Sequence, residues 1–212
     1  MPPQTAEYPA RLAVDYPERL DRLSTLFRII WAFPILVIAA LLTASSSETV
    51  EQASGESVTA TSSALGGIIV ATALMILFRK RYPRWWFDFL REFTRFTGRV
   101  FAYVALLTDR YPSTVDEQGV HLEIDYPDVE RDLNRWLPLI KWLLVLPHLF
   151  VLAILGVFAF LAIVAAWISI LVTGRYPESL FHFVVGVWRW ALRVQAYAFL
   201  LVTDQYPPFS VR

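Results

Sequence analysis

The 212-residue chain is 56% hydrophobic and 18% charged, and its nineteen Lys and Arg residues balance nineteen Asp and Glu. So apolar a composition excludes an ordinary soluble domain, and no nucleic-acid partner is expected. The absence of cysteine excludes disulfides and thiolate metal sites.

In chain order, the first predicted element is a short strand at 12–15, where Leu12, Ala13, Val14 and Asp15 read as a period-two segment before Tyr16 and Pro17. The first apolar run covers 29–43, with Pro34 inside it. It begins late and behind charges, so no secretory signal peptide is expected. The segment 45–63 is polar and acidic, carrying Glu48, Glu51 and Glu56, and is read as a mobile external loop without turn signals. A second apolar run at 64–78 completes a transmembrane hairpin in this reading, with spans near 26–44 and 64–80. Arg28, at the hairpin's entry, is expected to snorkel toward the interface, as is Lys141 at the next one.

Arg81, Tyr82 and Pro83 mark a corner, because proline disfavours helix before it and suits a first helical turn after it. A helix is predicted from there to 107. On it Asp88, Arg91, Arg95 and Arg99 recur at spacings of three and four, hence on one face, opposite Trp86, Phe89, Phe93, Phe96 and Val100. Centring those charges in hydrocarbon costs roughly 2.5–3.5 kcal/mol each. The segment 84–107 is therefore expected to lie in the membrane interface, with rings toward the acyl chains and guanidinium groups toward head groups. Thr108, Asp109, Tyr111 and Pro112 close it, Asp109 as a turn residue bonding nearby backbone.

The order then recurs. Residues 120–125 alternate and predict a second short strand, which would join the two halves in a small sheet if it paired with the first. Apolar runs at 142–157 and 158–173 predict a second hairpin, with spans near 138–156 and 158–174. His148 follows Pro147 and is expected to be a neutral histidine bonded to a neighbouring helix. Arg175, Tyr176 and Pro177 form the second corner. A second interfacial helix at 178–202 keeps His182, Arg189 and Arg193 on the polar stripe and carries Trp188 and Trp190; Thr203, Asp204, Tyr206 and Pro207 close it.

Seven of the nine tyrosines precede a proline, and the other two, Tyr103 and Tyr197, occupy matching places, so the chain reads as tandem repeats at 1–112 and 113–212. Lys and Arg are missing between Thr43 and Phe78 and between Trp142 and Gly174. The positive-inside rule then turns the hairpin tips outward and both termini to the cytoplasm. The expected fold is an all-α, multi-pass membrane protein of two repeats, each a transmembrane hairpin followed by an amphipathic interfacial helix.

Arg-Tyr-Pro, an aromatic Arg-bearing stretch, then Ala-Tyr and Thr-Asp-x-Tyr-Pro, at 81–112 and again at 175–207, resembles the DUF4389 family. The resemblance implies a bacterial inner-membrane protein in two copies with no assigned activity, and it supplies no catalytic residues. The chain lacks a nucleophile elbow, a phosphate loop and a metal-ligand spacing, so no enzyme, cofactor or metal is expected. The expected role is a scaffold or accessory subunit that binds lipids and a membrane-protein partner or a second copy. Arg91, Arg95, Arg99, Arg189, Arg193, Trp85, Trp86, Trp188 and Trp190 are the binding candidates, and Tyr82, Pro83, Tyr176, Pro177, Asp109 and Asp204 the structural corners. The alternatives are a small-solute transporter or channel built from two parallel repeats and membrane shaping by the interfacial helices.

Overall fold

A computed structural model describes residues 8–51, 57–113 and 118–211. The chain is mostly helical, with two small sheets. Strand β1 (Ala10–Val14) leads into a short helix α1 (Arg22–Leu26), capped by the Asp21 carboxylate on the Ser24 amide, and then into α2 (Arg28–Thr43). Strands β2 (Ser45–Glu51) and β3 (Ser57–Ser63) pair antiparallel, and α3 (Ala64–Arg79) follows. The region expected to be a loop therefore contains two paired strands; its Ser, Thr and Val residues favour extended backbone. Helix α4 (Arg84–Val104) starts directly after Pro83.

The second half opens with β4 (Val120–Ile124) and a one-turn helix α5 (Val129–Asp132). Helices α6 (Leu137–Leu144) and α7 (Leu146–Thr173) are separated at Val145, one turn before the interior of a helix that opens with Pro147. Helix α8 (Glu178–Ala198) starts directly after Pro177. The hairpin expected at 138–156 and 158–174 is absent. Helix α7 runs straight through 157–158, where no proline, capping residue or polar side chain interrupts the apolar sequence, and Gly156 alone does not break it. Its chain reverses at Gly174 instead, in the left-handed region at φ 76°, which glycine adopts without a Cβ penalty.

The predicted strands do pair. β1 and β4 run antiparallel with Leu12 opposite Leu122 at the centre of the pairing. One face of this sheet is buried through Ala10, Leu12, Val120, Leu122 and Ile124. The other is charged: Arg11 pairs with Glu123 at 3.2 Å and Asp125 at 3.0 Å, and His121 lies 3.4 Å from Asp15. β1 packs on α8 and β4 on α4. α8 folds back along α7, while α2 packs on α4 and α3 on α6. α2 and α3 are separate apolar helices on either side of β2 and β3. Ile35 of α2 sits against Phe96 and Val100, as Val145 and its neighbours sit against Trp190 and Val194. Thr72 and Ile76 of α3 are as fully buried as Ala166 and Ile170 of α7.

Candidate functional site

The arginine stripes of α4 and α8 bind backbone. Arg95 Nε donates to Leu122 O at 2.9 Å, and Arg189 Nε donates to Leu12 O at 3.0 Å. Each helix thus holds the central leucine of the other half's strand. Arg99 donates to Ser113 O at 2.7 Å, and Arg193 donates to Ser210 O at 3.3 Å. Arg91 remains near the surface, with Asp88 at 3.3 Å and Glu92 at 3.1 Å, over the ring of Phe87. A guanidinium aimed at a carbonyl offers a charge-assisted bond that a buried strand otherwise lacks at its pleat edge.

The four tryptophans separate. Trp85 is exposed and stacks edge-on with half-buried Trp86. Trp188 lies between α4 and α8, 4.8 Å from the ring of Phe101 and close over Gly98. Trp190 is buried and donates to His148 Nδ1 at 3.1 Å, while Phe209 stacks on the His148 ring at 3.9 Å. His148 is therefore bonded to a neighbouring helix, as the sequence suggests.

The corner tyrosines point inward. Tyr82 donates to Leu200 O at 2.9 Å, and Tyr126 donates to Tyr82 O at 2.6 Å. Tyr16 donates to Tyr176 O at 2.5 Å. Tyr82 and Tyr176 are buried, so their rings do not reach an acyl boundary, and burial pushes both hydroxyls well above the ordinary tyrosine range.

Arg28 and Lys141 do not snorkel. Both are buried, at 3% and 0% exposure. Arg28 pairs with Asp109, donates to Tyr103 O at 2.9 Å and Thr108 O at 2.7 Å, and covers the Tyr103 ring. Lys141 lies 2.8 Å from Asp204, donates to Thr203 O at 2.7 Å and covers the Tyr197 ring. The second carboxylate oxygen of Asp109 accepts the Asp21 amide at 2.7 Å, and that of Asp204 accepts the Asn134 amide at 2.5 Å. Inward burial prevails because a carboxylate and carbonyls wait there, and an unpaired buried charge would cost several kcal/mol. The recurrence of Thr-Asp before Tyr-Pro was the available signal for these two cations.

Outside this polar interior, the surface of α2, α6 and α7 is apolar. Ile29, Trp31, Phe33, Leu143, Phe150 and Val172 are all at least 62% exposed. The continuous stretch Leu137–Thr173 is long and apolar enough to cross a membrane, and only 17% of its most apolar window is buried within the protein. Among the described residues no group of His, Cys, Asp and Glu is placed to hold a metal ion.

A mostly helical protein with one exposed helix of membrane-crossing length is the class that this geometry defines. Over residues 136–210 the chain matches the family described as Domain of unknown function (DUF4389), in one copy where two were expected. Neither a curated protein nor a solved structure matches the chain.

Proposed function

We propose that the protein is a non-enzymatic membrane scaffold or accessory subunit that lies in one leaflet, its apolar helices sunk in the acyl chains and its β1–β4 sheet in water. The observation that carries this is the seat of the sheet. Its charged face lies over the middle of α8, where Arg189 reaches Leu12. A helix whose midpoint is covered by a sheet bearing the exposed carboxylates of Asp15, Glu123 and Asp125 cannot stand across hydrocarbon without a penalty of several kcal/mol. α8 therefore runs along the interface, and α7, packed beside it, does the same. At 28 residues α7 is roughly 42 Å long, more than a span requires. Its wide exposed apolar arc suits a helix with protein on one side and lipid on the others.

Tandem descent of the two halves belongs to the same reading. It is supported by paired bonds at equivalent residues: Arg95 and Arg189 on the strands, Asp109 and Asp204 on the buried cations, and left-handed Leu106 and Leu201. The chain's lack of native cysteine allows single cysteines to be placed freely. Spin labels at 150, 157 and 168 on the exposed side of α7 are expected to report one shared immersion depth. A steady gradient from one water face to the other would mean that α7 crosses the bilayer, and labels reached equally by water would remove the membrane altogether.

A further inference from the structure

The turn after α7 opens into a cleft of about 740 Å³ lined by Arg19, Leu20, Asp21, Arg22, Leu23, Thr173, Gly174 and Arg175. We propose that it binds the phosphate of an anionic phospholipid head group; the inference deepens the membrane reading and rests on it. Arg19, Arg22 and Arg175 are exposed, and none of their guanidinium groups forms an ion pair or a hydrogen bond with another described residue. The only acid in the lining, Asp21, caps α1 through the Ser24 amide at 2.9 Å and leaves one negative charge against three guanidinium groups. The C-terminal dipole of α7 adds about half a negative charge, so three guanidinium groups exceed what the cleft itself neutralises. Such a surplus of planar, bidentate donors matches a phosphate.

The surroundings select a lipid over a free ion. Leu23, Leu26 and Phe27 are exposed on one side of the cleft, and Ile168 and Val172 on the other. A cationic mouth framed by apolar side chains at the end of an embedded helix fits an amphiphile whose phosphate sits at head-group depth. The equivalent cleft in the other half is smaller, about 430 Å³, and holds Asp132 and Asp204 among Lys80, Arg131 and Arg135. Asp204 is engaged there by the buried Lys141, and the cleft lacks the volume of the first.

The full chain in uncharged detergent micelles is titrated with phosphatidylglycerol, phosphatidylcholine or inorganic phosphate, and the unfolding midpoint is read by tryptophan fluorescence. Phosphatidylglycerol is expected to raise the midpoint, and the other two to leave it in place. The variant Arg22→Gln/Arg175→Gln should weaken the phosphatidylglycerol response roughly tenfold or more, while Arg110→Gln, at an exposed position away from the cleft, leaves it intact. Leu23→Ser/Phe27→Ser should weaken it too. Equal shifts with phosphatidylcholine, or an unchanged response in the arginine variant, overturn the proposal. A phosphate response matching that of the lipid overturns the lipid assignment. If the double variant misfolds, Arg19→Gln carries the same comparison. A chain that resides in the membrane without preferring the anionic lipid sinks this inference alone; labels on α7 reached by water sink the wider reading.

Discussion

Gly174 and Lys80 occupy corresponding turns, one at the end of α7 and the other just past α3, and both are left-handed, at φ 76° and 48°. Glycine bears that conformation freely, whereas a side chain costs about 1–2 kcal/mol. An added Cβ at Gly174 would meet the Arg22 guanidinium at an ordinary 3.6 Å, so space is not the obstacle. Gly174→Ala is therefore expected to destabilise by about 1–2 kcal/mol, and Lys80→Gly to stabilise by about 0.5–1 kcal/mol, both read as shifts of the denaturation midpoint. At this scale the sequence announced residue types better than directions. Arg95 and Arg189 were visible as a stripe, but their acceptors are strand carbonyls 27 and 177 positions away, which no periodicity within either helix indicates. The same distance hid the inward course of Arg28 and Lys141, whose carboxylates lie at positions 109 and 204.

Among the elements, those with a period were legible and the one without was not. β1 and β4 alternate and pair; α4 carries charges at spacings of three and four, α8 keeps Arg189 and Arg193 four apart, and both are helices. α7 is apolar on every side, so its length suggested two spans and nothing in its side chains located an end. In the first half the apolar helices α2 and α3 are separated by β2 and β3, whose outer ends, Ser45 and Ser63, are partners and so stand side by side. Removing 45–63 joins Ala44 to Ala64 in the register that α7 keeps between 157 and 158. The shortened chain is expected to form one helix from 28 to 79 and to retain its thermal midpoint within a few degrees, with far-UV circular dichroism showing added helix. A chain that no longer folds would mean that the insert holds α2 and α3 in place.

For the molecule as a whole, the two halves complete each other. Tyr16 reaches the second half at Tyr176, and Tyr126 and Leu200 of the second half meet Tyr82 of the first. Burial raises Tyr82 and Tyr176 above their value in the unfolded chain, so folding favours the protonated hydroxyl. Stability from these groups is complete below pH about 10 and is lost as pH climbs from there through the raised folded values. Denaturant titrations at stepped alkaline pH should show that decline, and Tyr82→Phe should flatten it; an unchanged slope would place the loss elsewhere. The repeated corners were legible because Tyr-Pro is rare and local, while the exchange of contacts between halves was not, since no short stretch records it. That exchange also governs synthesis. The first strand leaves the ribosome about a hundred residues ahead of its mate, with a bare edge ready to pair with any neighbour. Nascent chains stopped before position 120 are thus the species most apt to cling to one another, and translation past that point closes the edge.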